Sequence, residues 1–385
     1  MLGKIGAVLL ALVASACAAP NGDLGTATAS SASRVYAMKF FTNGPAWVIT
    51  ERGIRHRTGP GQHWVEAGPP AFRGRNLDTG DAAEISFTGP AQAWAAAFPA
   101  GGSSTASATV LRTSDGGNSW SGSTLKLDFG NDEGAGAGRA YGLNATTAWV
   151  IATAQASAAF ERGVLYQTVN SGQTWKRLSL PIVGGLGFAT VSIGWVAGGP
   201  SGAALYKTLD GGDTWRSQTV PQQSAEAPWQ TTAAPPTFFD SLHGVLPVQV
   251  RDSQITDGAH LYFYATADGG VTWTAAGSPI ETSQGGDIFV RDAPRLSFVD
   301  SQNWFIGLVD GLRVTHDGGK TWSTVETSES DVRDAFIVSF ATTQDGWVYL
   351  EKPNLTCSKG QTCSIQPRLI RTADGGKTWA EESIE

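Results

Sequence analysis

The sequence predicts an all-β protein: a single seven-bladed β-propeller of four-stranded antiparallel blades, with a recurring turn between the third and fourth strands of each. Three observations carry this. Thirteen of the fourteen tryptophans recur at two positions. The turn motifs that half of them close repeat at a spacing of about fifty residues, a signature of repeat architecture. Between them lie short apolar segments with the punctuation of β-strands, in a chain with 48 glycines and 41% hydrophobic residues.

The turn motif ends in Trp64, Trp120, Trp175, Trp215, Trp273, Trp322 and Trp379. Six copies are full: TSDGGNSW (113–120), TVNSGQTW (168–175), TLDGGDTW (208–215), TADGGVTW (266–273), THDGGKTW (315–322) and TADGGKTW (372–379). A seventh, TGPGQHW (58–64), reads as degenerate and one residue shorter. The carboxylates Asp115, Asp210, Asp268, Asp317 and Asp374 are suited to accept backbone N–H groups, and the glycines to supply positive φ. Asn170 replaces Asp in the second full copy. It keeps an acceptor oxygen and discards the charge, which a turn tolerates and a hard-cation site or general acid does not. These residues are therefore structural, and no metal or cofactor is expected.

The second motif is an apolar strand with Gly or a small residue before Trp: AWVIT (46–50), AWAAAF (93–98), AWVIAT (148–153), GWVAG (194–198), GVLPV (244–248), NWFIG (303–307) and GWVYL (346–350). Val245 stands for Trp in the fifth copy. Phe40, Phe87, Phe188, Phe238 and Phe340 precede this position by seven residues, whereas Phe298 precedes Trp304 by six. The third copy offers Tyr141 in place of the Phe. A further strand of the type LYxT leads into each turn. Each unit thus has a Phe strand (A), a GW strand (B), an LYxT strand (C) and a strand after the closing Trp (D). The blades fall near 34–66, 82–122, 139–178, 186–218, 236–276, 294–326 and 335–384. No strand is left over, so the ring should close without a swapped terminal strand.

The segment before the propeller reads as an export signal. Lys4 precedes the apolar run Ile5 to Val13, and Ala14-Ser15-Ala16 is a small-residue cleavage site. Residues 1–16 are expected to be removed, Cys17 to carry a lipid, and residues 17–33 to form a flexible tether to the propeller at 34–385. Of three cysteines, Cys357 and Cys363 then remain, and a disulfide suits an exported protein. Two thiols without neighbouring His make a poor zinc set. The formal charge of −7, with no basic run, argues against nucleic acid as a partner.

These turn and strand motifs resemble the Asp-box (BNR) repeat propellers over essentially all of 34–385. A compact seven-bladed example behind a lipoprotein-like leader is most similar to the photosystem II stability/assembly factor family. That resemblance implies a protein-binding, non-catalytic propeller. Photosynthetic members carry a basic arginine patch; here the chain is acidic and its arginines are scattered.

Topology places the short A–B and Asp-box turns at one end and all the long loops at the other, where binding residues concentrate. The expected site there comprises Trp229, the one tryptophan outside the repeat, in a D–A loop at 216–235; Arg73 and Arg75, beside Arg52, Arg55, His56 and Arg57; and Arg139, Arg295 and Arg333, just before strand A of blades three, six and seven. The expected partner is an envelope protein or complex, met by a monomer whose only membrane contact is its anchor. Sialidases also carry Asp-boxes, so an exo-acting glycosidase using the central channel is the alternative, and a glycan-binding surface protein a second. A sialidase needs an arginine triad and a Tyr–Glu nucleophile pair, and arginines from three separate blades fit the first poorly.

Overall fold

In the computed structural model the described residues are 33–72, 83–98, 107–129, 135–154, 163–221, 228–252, 258–282, 295–327, 329, 335–353 and 365–384. They form seven antiparallel sheets, each built from consecutive strands. Blade one, for example, has A at Val35–Phe40, B at Ala46–Thr50, C at Gly53–Arg57 and D at Val65–Glu66. Blade seven has A at Ala335–Phe340, B at Gly346–Pro353, C at Ile365–Thr372 and D at Ala380–Glu381. The A strands of neighbouring blades approach one another in the seams two–three, four–five, six–seven and seven–one, which places them innermost. Blade seven meets blade one with no exchanged strand.

Seven apolar cores fill the seven seams between consecutive blades. The B-strand Trp of one blade lies on the A-strand Phe of the next. Trp149 stacks on Phe188 at 3.6 Å, Trp195 on Phe238 at 4.5 Å, Trp47 on Phe87 at 5.3 Å and Trp347 on Phe40 at 3.9 Å. Each such pair contributes about 0.5–1.5 kcal/mol beyond the area it buries. In the second seam Gly142 stands where the Phe would be, and a Cβ there would meet Trp94 Cδ1 at 2.6 Å. Tyr141 sits one position earlier and binds the next blade instead, its hydroxyl accepting Phe188 N at 3.1 Å. Serines take that role elsewhere: Ser86 accepts Gly142 N, Ser297 accepts Phe340 N and Ser339 accepts Phe40 N, at 2.9–3.2 Å.

The Asp-box turns are hydrogen-bonded as the motif requires. In the blade-four copy Thr208 Oγ1 donates to Asp210 Oδ1 at 2.8 Å, and Asp210 accepts both the amide and the hydroxyl of Thr214. At Asn170 the amide Thr174 N still donates to Oδ1, but Nδ2 now donates to Thr174 Oγ1, reversing one bond. The hydroxyl and amide four residues on hold Asp115, Asp210, Asp317 and Asp374 at about 2, below the usual carboxylate value. Such a carboxylate adds stability that is complete above its unfolded value of about 4 and is lost as pH falls through the folded value. Melting temperature should therefore fall between about pH 4 and pH 2. Asn170→Asp should leave it little changed at pH 7 and steepen that acid decline; identical slopes for variant and wild type would contradict this account.

Two repeat assignments need correction. The blade-one turn is not short: Arg57 pairs with Ala46 as Thr113 pairs with Ala93, so the box runs RTGPGQHW from Arg57 with a full eight residues. In blade six, Ser297 pairs with Phe305 as Ser339 does with Trp347, so Phe305, seven residues after Phe298, holds the Trp position. Phe305 stacks on Phe340 at 3.6 Å. Trp304, one residue earlier, points to the opposite face and packs with Val245, Leu261 and Phe263 of blade five. The ring missing at Val245 is thus supplied across the seam by Trp304.

Blade five is also larger than four simple strands. Pro235 and Pro236 lie between two A segments, Pro228–Ala233 and Thr237–Phe238, and D is likewise split into Thr274–Ala275 and Ile280–Thr282. The prolines press against blade four, where a Cβ on Gly185 would meet Pro235 at 2.9 Å and one on Gly187 would meet Pro236 O at 2.7 Å. Glycines in GGLGF are what admit this approach.

Candidate functional site

Strand direction puts the starts of the A strands and the ends of the B strands at the long-loop end. Trp229 belongs to a strand there rather than to a loop: it lies in the A segment Pro228–Ala233, at a bulge between the Pro228–Asp252 and Gln230–Arg251 pairs. The proline pair hides the segment from sequence patterning, because it separates Trp229 from the Phe that marks strand A.

Arg139 lies on strand A of blade three opposite Ile151, and Arg295 precedes strand A of blade six, its carbonyl accepting Gly307 N at 2.8 Å. Both are half-buried and both already have partners. In ring order blades four and five lie between them on one side. Arg73, Arg75, Arg333, Cys17, Cys357 and Cys363 lie outside the described residues, as do the leader and nearly all of the tether.

The basic residues of blade one are engaged in packing. Arg55 pairs with Glu66 at 2.8 Å. His56 is buried, donates from Nε2 to Pro90 O at 2.7 Å and lies against Trp47. Burial lowers its basicity, and the backbone bond partly opposes this. Arg57 is buried between Phe40, Trp64 and Trp347, donating to Gly44 O and pairing with Glu382 of blade seven.

A polar group that the motifs did not single out occupies the seam between blades seven and one. Arg34 grips Glu351 with two bonds, of 2.7 and 3.2 Å, and Tyr349 donates to the same carboxylate at 3.1 Å. A Tyr–Glu contact is what a sialidase nucleophile would use. Here Tyr349 is 0% exposed. Burial first, and then the Glu351 charge, push its hydroxyl up, away from the phenolate a nucleophile needs. Arg34 neutralises the carboxylate that would serve as base. The group locks a seam.

Lys39 is the other unheralded residue. It takes the position before Phe40 that serine fills in other blades, on an innermost strand. Its side chain reaches solvent yet is ringed by protein, and that burial lowers its basicity. Among the described residues no three His, Cys, Asp or Glu side chains gather in a way that could hold a metal ion.

The family model for the BNR/Asp-box repeat matches residues 313–324, the C strand, turn and D strand of blade six. No curated protein matches the sequence. Among solved structures, one described as "YCF48 bound to D1 peptide" is similar over 90% of this chain and 93% of that one, with a TM-score of 0.52 and 16% identity. A PL25 ulvan lyase aligns over 92% and 96% (TM-score 0.49, 10% identity). The GH74 xyloglucanase from Xanthomonas campestris aligns over 92% of this chain at a TM-score of 0.37 and 14% identity, and this chain spans 46% of its length. The first establishes a shared fold; the other two carry no argument about chemistry.

Proposed function

We propose that this Asp-box propeller is an exported, lipid-anchored, non-enzymatic scaffold or assembly factor that holds a protein partner across its long-loop end. The observation that carries the reading is the seam group: the Tyr–Glu pair that would argue for hydrolysis is buried and held by Arg34, and the arginines of blades three and six already have partners. A propeller of the same fold is described with a bound peptide, which supports a protein partner. The uneven lengths of the D–A and B–C connections, against uniformly short turns at the other end, support that end as the contact face. Export and anchoring rest on the leader and Cys17.

Photo-crosslinkers placed at positions 75 and 229 in the native envelope are expected to capture one specific protein, and Cys17→Ser to release that adduct from the membrane fraction. Capture of no specific protein would count against a scaffold. Turnover of fluorogenic glycosides that disappears on replacing Arg139, Arg295 or Arg333 would replace this reading with the glycosidase.

A further inference from the structure

The register slip in blade six leaves a space at the opposite, Asp-box end. In five seams the B strand of the leading blade contributes a buried indole: Trp47, Trp94, Trp149, Trp195 and Trp347. In three of these its N–H donates across the seam to a turn carbonyl of the next blade: Gly89 O at 3.2 Å, Asn144 O at 2.7 Å and Gly211 O at 3.0 Å. Between blades six and seven the residue is Phe305, which has neither the second ring nor the N–H. A cleft of about 500 Å³ opens there; Phe305, Val314 and Val325 form its apolar part, Gln344 and Gly375 wall it, and the polar side chains of His316, Glu326, Asp374 and Lys377 also line it. Gly375 is the first glycine of its box, the counterpart of Gly211, which accepts the indole N–H in the seam between blades three and four. The seam has kept the surroundings of an indole and lost the indole.

We propose that this cleft binds an indole-type ring, a flat aromatic group with one N–H donor, supplied either by a free small molecule or by a tryptophan side chain of a peptide. Phe305, Val314 and Val325 take the ring, and a turn carbonyl of blade seven takes the N–H. The site lies at the other end from the proposed partner face and stands or falls independently of it.

The test is ¹⁹F NMR titration of the full chain with 5-fluoroindole, with competitors. Saturable binding is expected, with 1-methylindole competing about tenfold less well because it leaves one hydrogen bond unmade. Phe305→Trp fills the cleft with the residue the repeat uses and should weaken binding about tenfold or more. Thr324→Trp changes only an exposed rim residue, so it blocks the mouth without disturbing the core and decides the matter should Phe305→Trp not fold. N-acetyl-tryptophanamide competing better than indole assigns the site to a peptide side chain; the reverse assigns it to a small molecule. Absence of saturable binding, or binding unchanged in Thr324→Trp, overturns the proposal.

Discussion

Arg57→Ala is expected to destabilise the propeller by about 3–5 kcal/mol, the usual cost of removing one partner from a buried ion pair. The Arg57 side chain is 3% exposed and that of Glu382 14%, so solvent screens the pair little. The guanidinium also fills the space between Phe40, Trp64 and Trp347, with 4.8 Å from its carbon to the Trp64 ring centre. Truncation therefore leaves both an unpaired carboxylate and a cavity. Denaturant unfolding of Arg57→Ala, Glu382→Ala and the double variant should give a double-mutant cycle with clear coupling, the double variant falling short of the summed single losses. Strict additivity would show that the two residues do not act as a pair.

The second large effect is expected at Trp304. Trp304→Ala should cost about 3–5 kcal/mol, because a fully buried ring is removed from the seam between blades five and six. The exchange with Val245 gives a sharper test. Val245→Trp alone adds a second ring to a filled seam and should cost about 1–3 kcal/mol by overpacking. Combined with Trp304→Gly, the same substitution restores the pattern of the other blades and should recover part of the loss. Thermal melts of Val245→Trp, Trp304→Gly and the double variant distinguish the cases. If the double variant is as unstable as the sum of its parts, Trp304 does not substitute for the ring that blade five lacks.

The blade count, the four-strand plan and the Asp-box turns were legible in the sequence because each depends on local chemistry: an acceptor side chain, glycines at positive φ and an aromatic at a fixed offset. The corrections arise where register decides. Phe298 and Phe305 are seven residues apart, as the Phe and Trp of other blades are, so that slip was readable from spacing; the prominence of Trp304 concealed it. Arg57 was not readable as a box residue, because it shares no chemistry with the threonine it replaces and its partner lies 325 residues away. A separation of 317 residues likewise hides the Arg34–Glu351–Tyr349 group. Trp229 was recognisable as a residue outside the repeat, but its strand was not, since two prolines separate it from the apolar pattern that identifies a blade.

Six of the seven seams join blades that the backbone also joins. The seam between blades seven and one has no such connection; among the described residues, side chains and A-strand hydrogen bonds hold it, with ion pairs spanning 317 and 325 residues and the stack of Phe40 on Trp347. Closing so long a loop costs only about 2 kcal/mol more than closing one of fifty residues, since the entropy grows with the logarithm of length. The consequence is kinetic. Parting these two blades opens the ring without disrupting any single sheet, and it uncovers two aromatic faces together. How long a folded molecule lasts, as distinct from how strongly folding is favoured, should therefore depend on how rarely this joint opens.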